Sequence, residues 1–482
     1  MKNKMDVLLI NPRSTYVHEI PQKVYPPLNL LYLASALRAY GASTTLLDAN
    51  AFQMEDFQIA QAIKSTHPFL VGIGLYSEVL RQVRELAEMA KSMASCRVVL
   101  GGPHASAVPE KSLECIPDAD FVLQGEAEKS LPMLLDHLKQ GQPLSQIPGL
   151  YYRERGHIQQ GSPVTGPLDI HAIQPPARDL LAKAYEEGRY FTIMVRSRPV
   201  DTLISSRGCP FSCRFCYNSS RNYRGRNPEA VVQELRAIRD RGIRNVEIVD
   251  DHFTTDRGRA MRIFDLILRE RLGISFRIKS RVNVVDEELL RKAKAAGAYQ
   301  VSYGTESGCQ RILDSMNKGI TVSQIAQAID LTRRCGMDSH TSWILGYPGE
   351  TPDTIEETVR FIVKMKPTTV NLAVLRPYPE TEVYLQSKEE GTLRGDWNPN
   401  AQEMPWIQLP WVRSRADLER KVSQAQRHIY LRPHYLIQYG FRSIRNANWS
   451  LLQYACQEFR RSIAEKLPLT SPARSKGTPP LP

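Results

Sequence analysis

No run of 18 or more apolar residues occurs in the 482-residue chain, so no membrane-spanning helix is expected. The opening stretch, MKNKMDVLLINPRS, has too short an apolar segment and no small-residue cleavage site for a signal peptide. Cysteine is scarce, with eight in all, and Cys96, Cys115, Cys309, Cys335 and Cys456 are scattered singly. That excludes a secreted disulfide framework and points to a reducing, cytoplasmic setting. Acidic side chains are in the minority, 51 Asp and Glu against 63 Lys and Arg, for a net charge of +12. From Arg413 onward the imbalance is 13 to four, so most of the excess sits at the C-terminal end. Such a stretch is compatible with nucleic acid, an anionic membrane surface or an acidic substrate, and selects none of them. What is present, 42% hydrophobic and 24% charged residues, fits a globular protein with length for about three domains.

The first segment, residues 1–145, alternates strand and helix patterns. DVLLI, TTLLD, FLVGIGLYS, RVVLGG and DFVLQG read as five strands, and PPLNLLYLASALRAYG as a helix with Pro at its start and Gly just past its end. Strands separated by crossover helices predict an α/β, doubly wound parallel sheet, Rossmann-like, whose ligands bind beyond the carboxyl ends of the strands. The candidate loops carry Tyr76 and Ser77, then Gly101, Gly102 and His104, then Gly125 and Glu126. Glycine admits a ligand close to backbone, though short glycine motifs also simply turn a chain. Residues 146–198 read as a linker. Residues 199–385 alternate again, through TLISSRG, NVEIVDD, SFRIKSRV, YQVSYGTES, SHTSWILGYPGE and TVNLAVLRPYP. Six strand–helix units predict a partial (β/α)6 barrel with its chemistry at the carboxyl ends of the strands. Residues 386–470 lose the alternation and read as helical and basic, and NWSLLQYACQEFRRSI sets Trp449, Leu452, Cys456, Phe459 and Ile463 on one core-packing stripe. Residues 471–482 have a disordered composition.

The remaining three cysteines fall within eight residues of RGCPFSCRFCYNSS, at Cys209, Cys213 and Cys216, directly after the first barrel strand. A structural zinc site wants four ligands, and no His or Cys follows at finger spacing. An iron–sulfur cube held by three thiolates leaves one iron open for a ligand. Cys-x3-Cys-x2-Cys followed by an aromatic, here Tyr217, resembles the radical S-adenosylmethionine superfamily. The resemblance covers residues 201–381. It implies a 4Fe–4S cluster on the three cysteines and reductive cleavage of S-adenosylmethionine to a 5′-deoxyadenosyl radical, with the protein positioning the cofactors and excluding water. In the same resemblance IVDDHF marks Asp250 as a contact to the amino group, YGTESG marks Glu306 as a ribose contact with Arg281 beside it, and WILGYPGET matches the fifth-strand motif. A buried salt bridge between Glu306 and Arg281 is the structural alternative.

A doubly wound domain ahead of such a barrel resembles the cobalamin-dependent branch, which includes methyltransferases, the anaerobic magnesium-protoporphyrin monomethyl ester cyclase and hopanoid-tailoring enzymes. GGPHAS, LQGEAEKSLPMLL and PGLYYRERG carry that likeness. It implies cobalamin contacts from Tyr76, Ser77, Gly101, Gly102, His104, Gly125 and Glu126. The Asp-x-His-x-x-Gly motif that gives cobalt a lower histidine is absent, so His104 is expected to touch the corrin or its tail, or else to cap a helix with no ligand role. Where the family has Pro-Gly-Thr after strand six this chain has PYPET, with Glu380 in the glycine position, and Cys309 stands where Ser is frequent. The expected activity is hydrogen abstraction from an unactivated position with methyl transfer from methylcobalamin. Radical cyclisation or rearrangement without methyl transfer is the enzymatic alternative, and a non-catalytic iron–sulfur protein the other. The implied partners are a small-molecule substrate, large and apolar in one version, and a low-potential flavodoxin or ferredoxin. A peripheral membrane contact through the basic C-terminal stretch is a further expectation, and no nucleic acid is expected.

Overall fold

A computed structural model describes residues 5–14, 23–192, 198–218, 220–435 and 437. The chain forms two compact units, Met1–Ala425 and Gln426–Pro482. The stripe at 449–463, the expected disordered tail and most of the basic C-terminal stretch lie outside the described residues. Within unit 1, short apolar runs become the strands of two sheets.

The first sheet holds β1 (Val7–Asn11), β2 (Thr44–Asp48), β3 (Leu70–Gly74), β4 (Arg97–Gly101), β5 (Phe121–Leu123), β6 (Leu150–Glu154) and β7 (His157–Gln160). Their order is β2-β1-β3-β4-β5-β6-β7. The first five are parallel and the last two antiparallel. β6 and β7 fall inside the stretch expected to be linker. They are a hairpin, which needs no crossover helix and so leaves no helical pattern in the sequence. Val7, Leu8, Leu9 and Ile10 are all buried, as in a sheet covered by helices on both faces. The strand order reverses between β1 and β3, and the loops after β3, β4 and β5 open beside that switch point.

The second sheet is β8 (Val200–Leu203), β9 (Asn245–Ile248), β10 (Ser275–Ser280), β11 (Ala298–Glu306), β12 (Asp338–Leu345) and β13 (Thr369–Val374). All five pairings are parallel and follow chain order, and β8 does not pair with β13. The sheet is an open, partial barrel. One side of each strand packs on helices. Phe276 stacks near Phe264, Tyr303 bonds Thr332, and Trp343 meets Phe361 edge-on. The alternate residues face the lumen. Among the described residues no helix is long and apolar enough to cross a membrane.

Candidate active site

The cysteine loop leaves β8 through a two-residue strand, Ser206–Arg207, paired antiparallel with Arg224–Gly225. Gly208 has φ +83°, and a Cβ there would lie 2.2 Å from the Asn222 carbonyl oxygen, so the turn into Cys209 needs glycine. The loop is pinned along its length. Asn218 Nδ2 donates to the Cys209 carbonyl (2.8 Å), Asn317 Nδ2 donates to Ser212 O (2.9 Å) and Oγ (3.1 Å), and the Arg214 amide donates to Met316 O (3.1 Å). Arg281 stacks its guanidinium over Phe211 at 3.8 Å and brings Nη1 to 4.0 Å from Cys213 Sγ.

All three thiols are free, Cys209 and Cys213 half-buried and Cys216 exposed. Burial pushes the Cys209 thiol up, and Asp251 and Cys213 add to it, so three thiolates together need a multivalent cation. Among the described residues no three His, Cys, Asp or Glu converge on a point that holds a single ion. A cube asks for a different arrangement, each thiolate on its own iron. Three thiols on one short loop fit that group.

Asp250 is buried and its oxygens are already in use. Oδ1 accepts from the Ser205 amide (2.6 Å), and Oδ2 accepts from the hydroxyls of Ser205 (2.5 Å) and Ser206 (2.6 Å). The structure thus makes Asp250 a strut tying the end of β9 to the end of β8. Its neighbour Asp251 is exposed and couples to Cys209 and Cys216. The signal for it was the doubled acid in IVDDHF. His252, also missed, packs edge-on against Phe211 with its Nδ1 buried and unpartnered.

Glu306 sits at the end of β11 with φ +61°, where the register against β12 slips. Its Oε1 accepts from Lys318 Nζ at 2.8 Å, both side chains being buried. The expected alternative, a Glu306–Arg281 bridge, is therefore corrected. Arg281 instead donates to the carbonyls of Lys318 and Gly319 and to Asn283. Cys213, Arg281 and Glu306 are brought together around the 318–319 turn, and Lys318 was not legible in the sequence. Glu380 has φ +61°, the conformation for which the family uses glycine, and its charge reaches Tyr217. Cys309 is buried among Ile312, Met316 and Tyr347.

A cavity of about 380 Å³ separates the two sheets' carboxyl ends. Gly72, Gly74, Gly101, Gly102 and Gly125 line its first-sheet side, and Gly208, Asn218 and Asp251 its barrel side. Gly102 has φ +118°, and a Cβ there would lie 2.8 Å from Leu75 O. Glycines that bare the backbone, beside apolar side chains such as Leu30, Tyr32 and Leu131, suit the face of a flat macrocycle, so the site fits a corrin. Glu126 lines the cavity while bonding Arg207 (2.9 Å) and Arg224 (2.9 and 3.0 Å). Ser77 and His104 do not line it. Ser77 Oγ and His104 Nδ1 are 2.7 Å apart, and burial, then Lys111, lowers His104 to about 4, so the imidazole stays neutral. Tyr76 is exposed, and its hydroxyl accepts from Asn29 (3.3 Å), a cavity residue.

The Radical SAM superfamily pattern matches residues 203–362, and the B12 binding domain pattern matches residues 16–135. An uncharacterised methyltransferase of Pyrococcus horikoshii is 31% identical over 443 residues, 91% of this chain and 95% of the relative. The anaerobic magnesium-protoporphyrin IX monomethyl ester cyclase of Rubrivivax gelatinosus is 28% identical, over 75% of this chain and 66% of the relative. The fold is shared with TsrM, a radical S-adenosylmethionine methyltransferase of Kitasatospora setae solved with cobalamin and a 4Fe–4S cluster. The TM-score is 0.73 at 20% identity, covering 89% of this chain and 90% of that one.

Proposed function

The chain belongs to the radical SAM superfamily, in the group that carries a B12 binding domain ahead of the barrel, and from that premise we propose that it methylates an unactivated carbon of a small-molecule substrate. The observation that carries this is the shared cavity, lined on one side by the glycine floor of the first sheet and on the other by the cysteine loop. When bound, the cluster with S-adenosylmethionine supplies a 5′-deoxyadenosyl radical, and cobalamin supplies the methyl group.

The chain's own residues hold and shield these groups. Cys209, Cys213 and Cys216 hold the cluster, with Arg281 Nη1 4.0 Å from Cys213 Sγ. Asp251, exposed at the mouth, is the carboxylate available to an amino group, while Asp250 fixes the strand end beneath it. Tyr217 and Glu306 flank the same loop. Gly101, Gly102, Gly125 and Glu126 form the cobalamin face, with Tyr76 at its edge, whereas Ser77 and His104 brace the loops from behind. A low-potential flavodoxin or ferredoxin supplies the electron.

Anaerobic turnover with reductant, S-adenosylmethionine, cobalamin and metabolite extract tests this. The expected products are 5′-deoxyadenosine and S-adenosylhomocysteine in equal amounts, with one metabolite heavier by a methylene. Formation of 5′-deoxyadenosine and a changed metabolite without S-adenosylhomocysteine would favour cyclisation, the reaction named for the Rubrivivax relative. The cellular setting proposed is cytoplasmic, with the basic stretch after Arg413 resting on an anionic membrane surface. The full chain should then float with anionic vesicles at low salt and stay unbound with neutral ones; equal recovery would remove the membrane contact.

A further inference from the structure

Arg281 directly follows β10 and is 2% exposed, so its guanidinium is a buried charge. Nε donates to Asn283 Oδ1 (3.3 Å), and Nη2 donates to the carbonyls of Lys318 and Gly319. Phe211, which lies between Cys209 and Cys213, covers one face of it at 3.8 Å. Nη1 points at the cysteine loop, 4.0 Å from Cys213 Sγ.

Every oxygen that this cation meets is neutral. Arg207, Arg214 and Lys318, on other sides of the same loop, hold the carboxylates of Glu126, Glu382 and Glu306 at 2.9, 2.9 and 2.8 Å. Among the described residues Arg281 holds none. Asp251 faces Lys279, and Glu306 is engaged by Lys318. A buried cation is costly to leave without an opposite charge, and Cys213 Sγ is the atom in its reach that can carry one. Arg281 is also poorly placed to clamp a carboxylate. A guanidinium offers two forks of parallel N–H groups, Nε with Nη2 and Nη1 with Nη2, and both hydrogens of Nη2 are spent on backbone carbonyls.

We infer that Arg281 sets the reduction potential of the cluster rather than holding S-adenosylmethionine. This rests on the cluster being carried by Cys209, Cys213 and Cys216, as proposed above. The electron supplied by the flavodoxin or ferredoxin adds one negative charge to the cluster, and no bond forms or breaks in that transfer. A fixed cation with an N–H aimed at one ligating sulfur stabilises the reduced, more negative state and so raises the potential. Burial keeps water from screening that charge. Phe211 and the 318–319 carbonyls hold the guanidinium in place.

The full chain is reconstituted anaerobically, and its midpoint potential is read by redox titration followed by electron paramagnetic resonance. Arg281→Met should lower the midpoint by about 59 mV, a tenfold change in the one-electron reduction equilibrium, and Arg281→Lys, which returns the charge, should recover part of it. Affinity for S-adenosylmethionine, measured by equilibrium dialysis, should stay within about twofold. An unchanged midpoint in Arg281→Met overturns the inference. So does a lost affinity at an unchanged midpoint, which would return Arg281 to S-adenosylmethionine. The wild type gives a reading that needs no variant. With arginine isotopically labelled at the guanidinium nitrogens, electron–nuclear double resonance of the reduced cluster should show a coupling to the label, and its absence also overturns the inference. Reductive cleavage of S-adenosylmethionine by the wild type is measured separately. Its absence would sink the radical reading, while the midpoint still decides Arg281.

Discussion

Glu350 shows what one residue can store. It is 2% exposed, and its Oε2 accepts from the amides of Gly346 (2.6 Å) and Tyr347 (3.2 Å), while Oε1 has no partner. Desolvation outweighs those two bonds and pushes the carboxyl up to about 7. The folded state then holds a proton that the unfolded chain releases near the ordinary carboxylate value of about 4.3. With fewer protons on the unfolded state in that window, unfolding free energy falls as pH rises from about 4.3 to 7, by up to a few kcal/mol. Glu350→Gln should flatten this slope in urea unfolding measured across the window, since the amide oxygen still accepts both bonds. A slope unchanged by the substitution would assign the pH dependence elsewhere. Glu306 and Glu380 store a different cost, a left-handed backbone at a side chain that disfavours it, and both flank the cysteine loop.

At the scale of an element, the cysteine loop is held by its neighbours along its length. Asn317, the 316 carbonyl and Arg281 hold it from the barrel side, and Gly208 sets its entry. Gly208→Ala should therefore displace Cys209 and cost most of the bound iron while helical content stays the same, read by iron analysis and circular dichroism. Replacing any one of Cys209, Cys213 and Cys216 by Ala should abolish the cluster absorbance. A triple variant that still carries about four irons per chain would refute the cluster site.

At the scale of the whole of unit 1, ion pairs join the first sheet to the barrel around the cavity. Glu126 and Glu128, after β5, hold Arg207 and Arg224 of the cysteine hairpin at 2.5 to 3.0 Å. On another side Glu78 accepts from Arg376 (3.0 Å) and from Tyr378 (2.5 Å). These groups are partly shielded, so Glu126→Ala, which takes both carboxylate contacts from Arg224 and leaves Arg207 with Glu128 alone, should cost about 1–3 kcal/mol. Calorimetry should show a lower melting temperature, with the barrel transition separating from that of the first sheet. A single unshifted transition would mean that the clamp does not couple the two sheets.

Much of this was legible in the sequence because it is local. Three cysteines in eight residues, a glycine before them and an aromatic after them sit on one short loop, so the likeness that implies their chemistry is local. Eleven parallel strands were likewise visible as short apolar runs between helical patterns, since crossover connections oblige the alternation. The hairpin β6–β7 leaves no such pattern and was hidden in a polar stretch. What the tertiary structure alone decided is partnership. Glu306 bonds Lys318 rather than Arg281, Asp250 accepts from Ser205 and Ser206, and His104 closes on Ser77. Each of these turns on the register between segments far apart in the chain. A shift of one residue in a parallel sheet reverses which side chain faces the lumen, and no single stretch of sequence records that register.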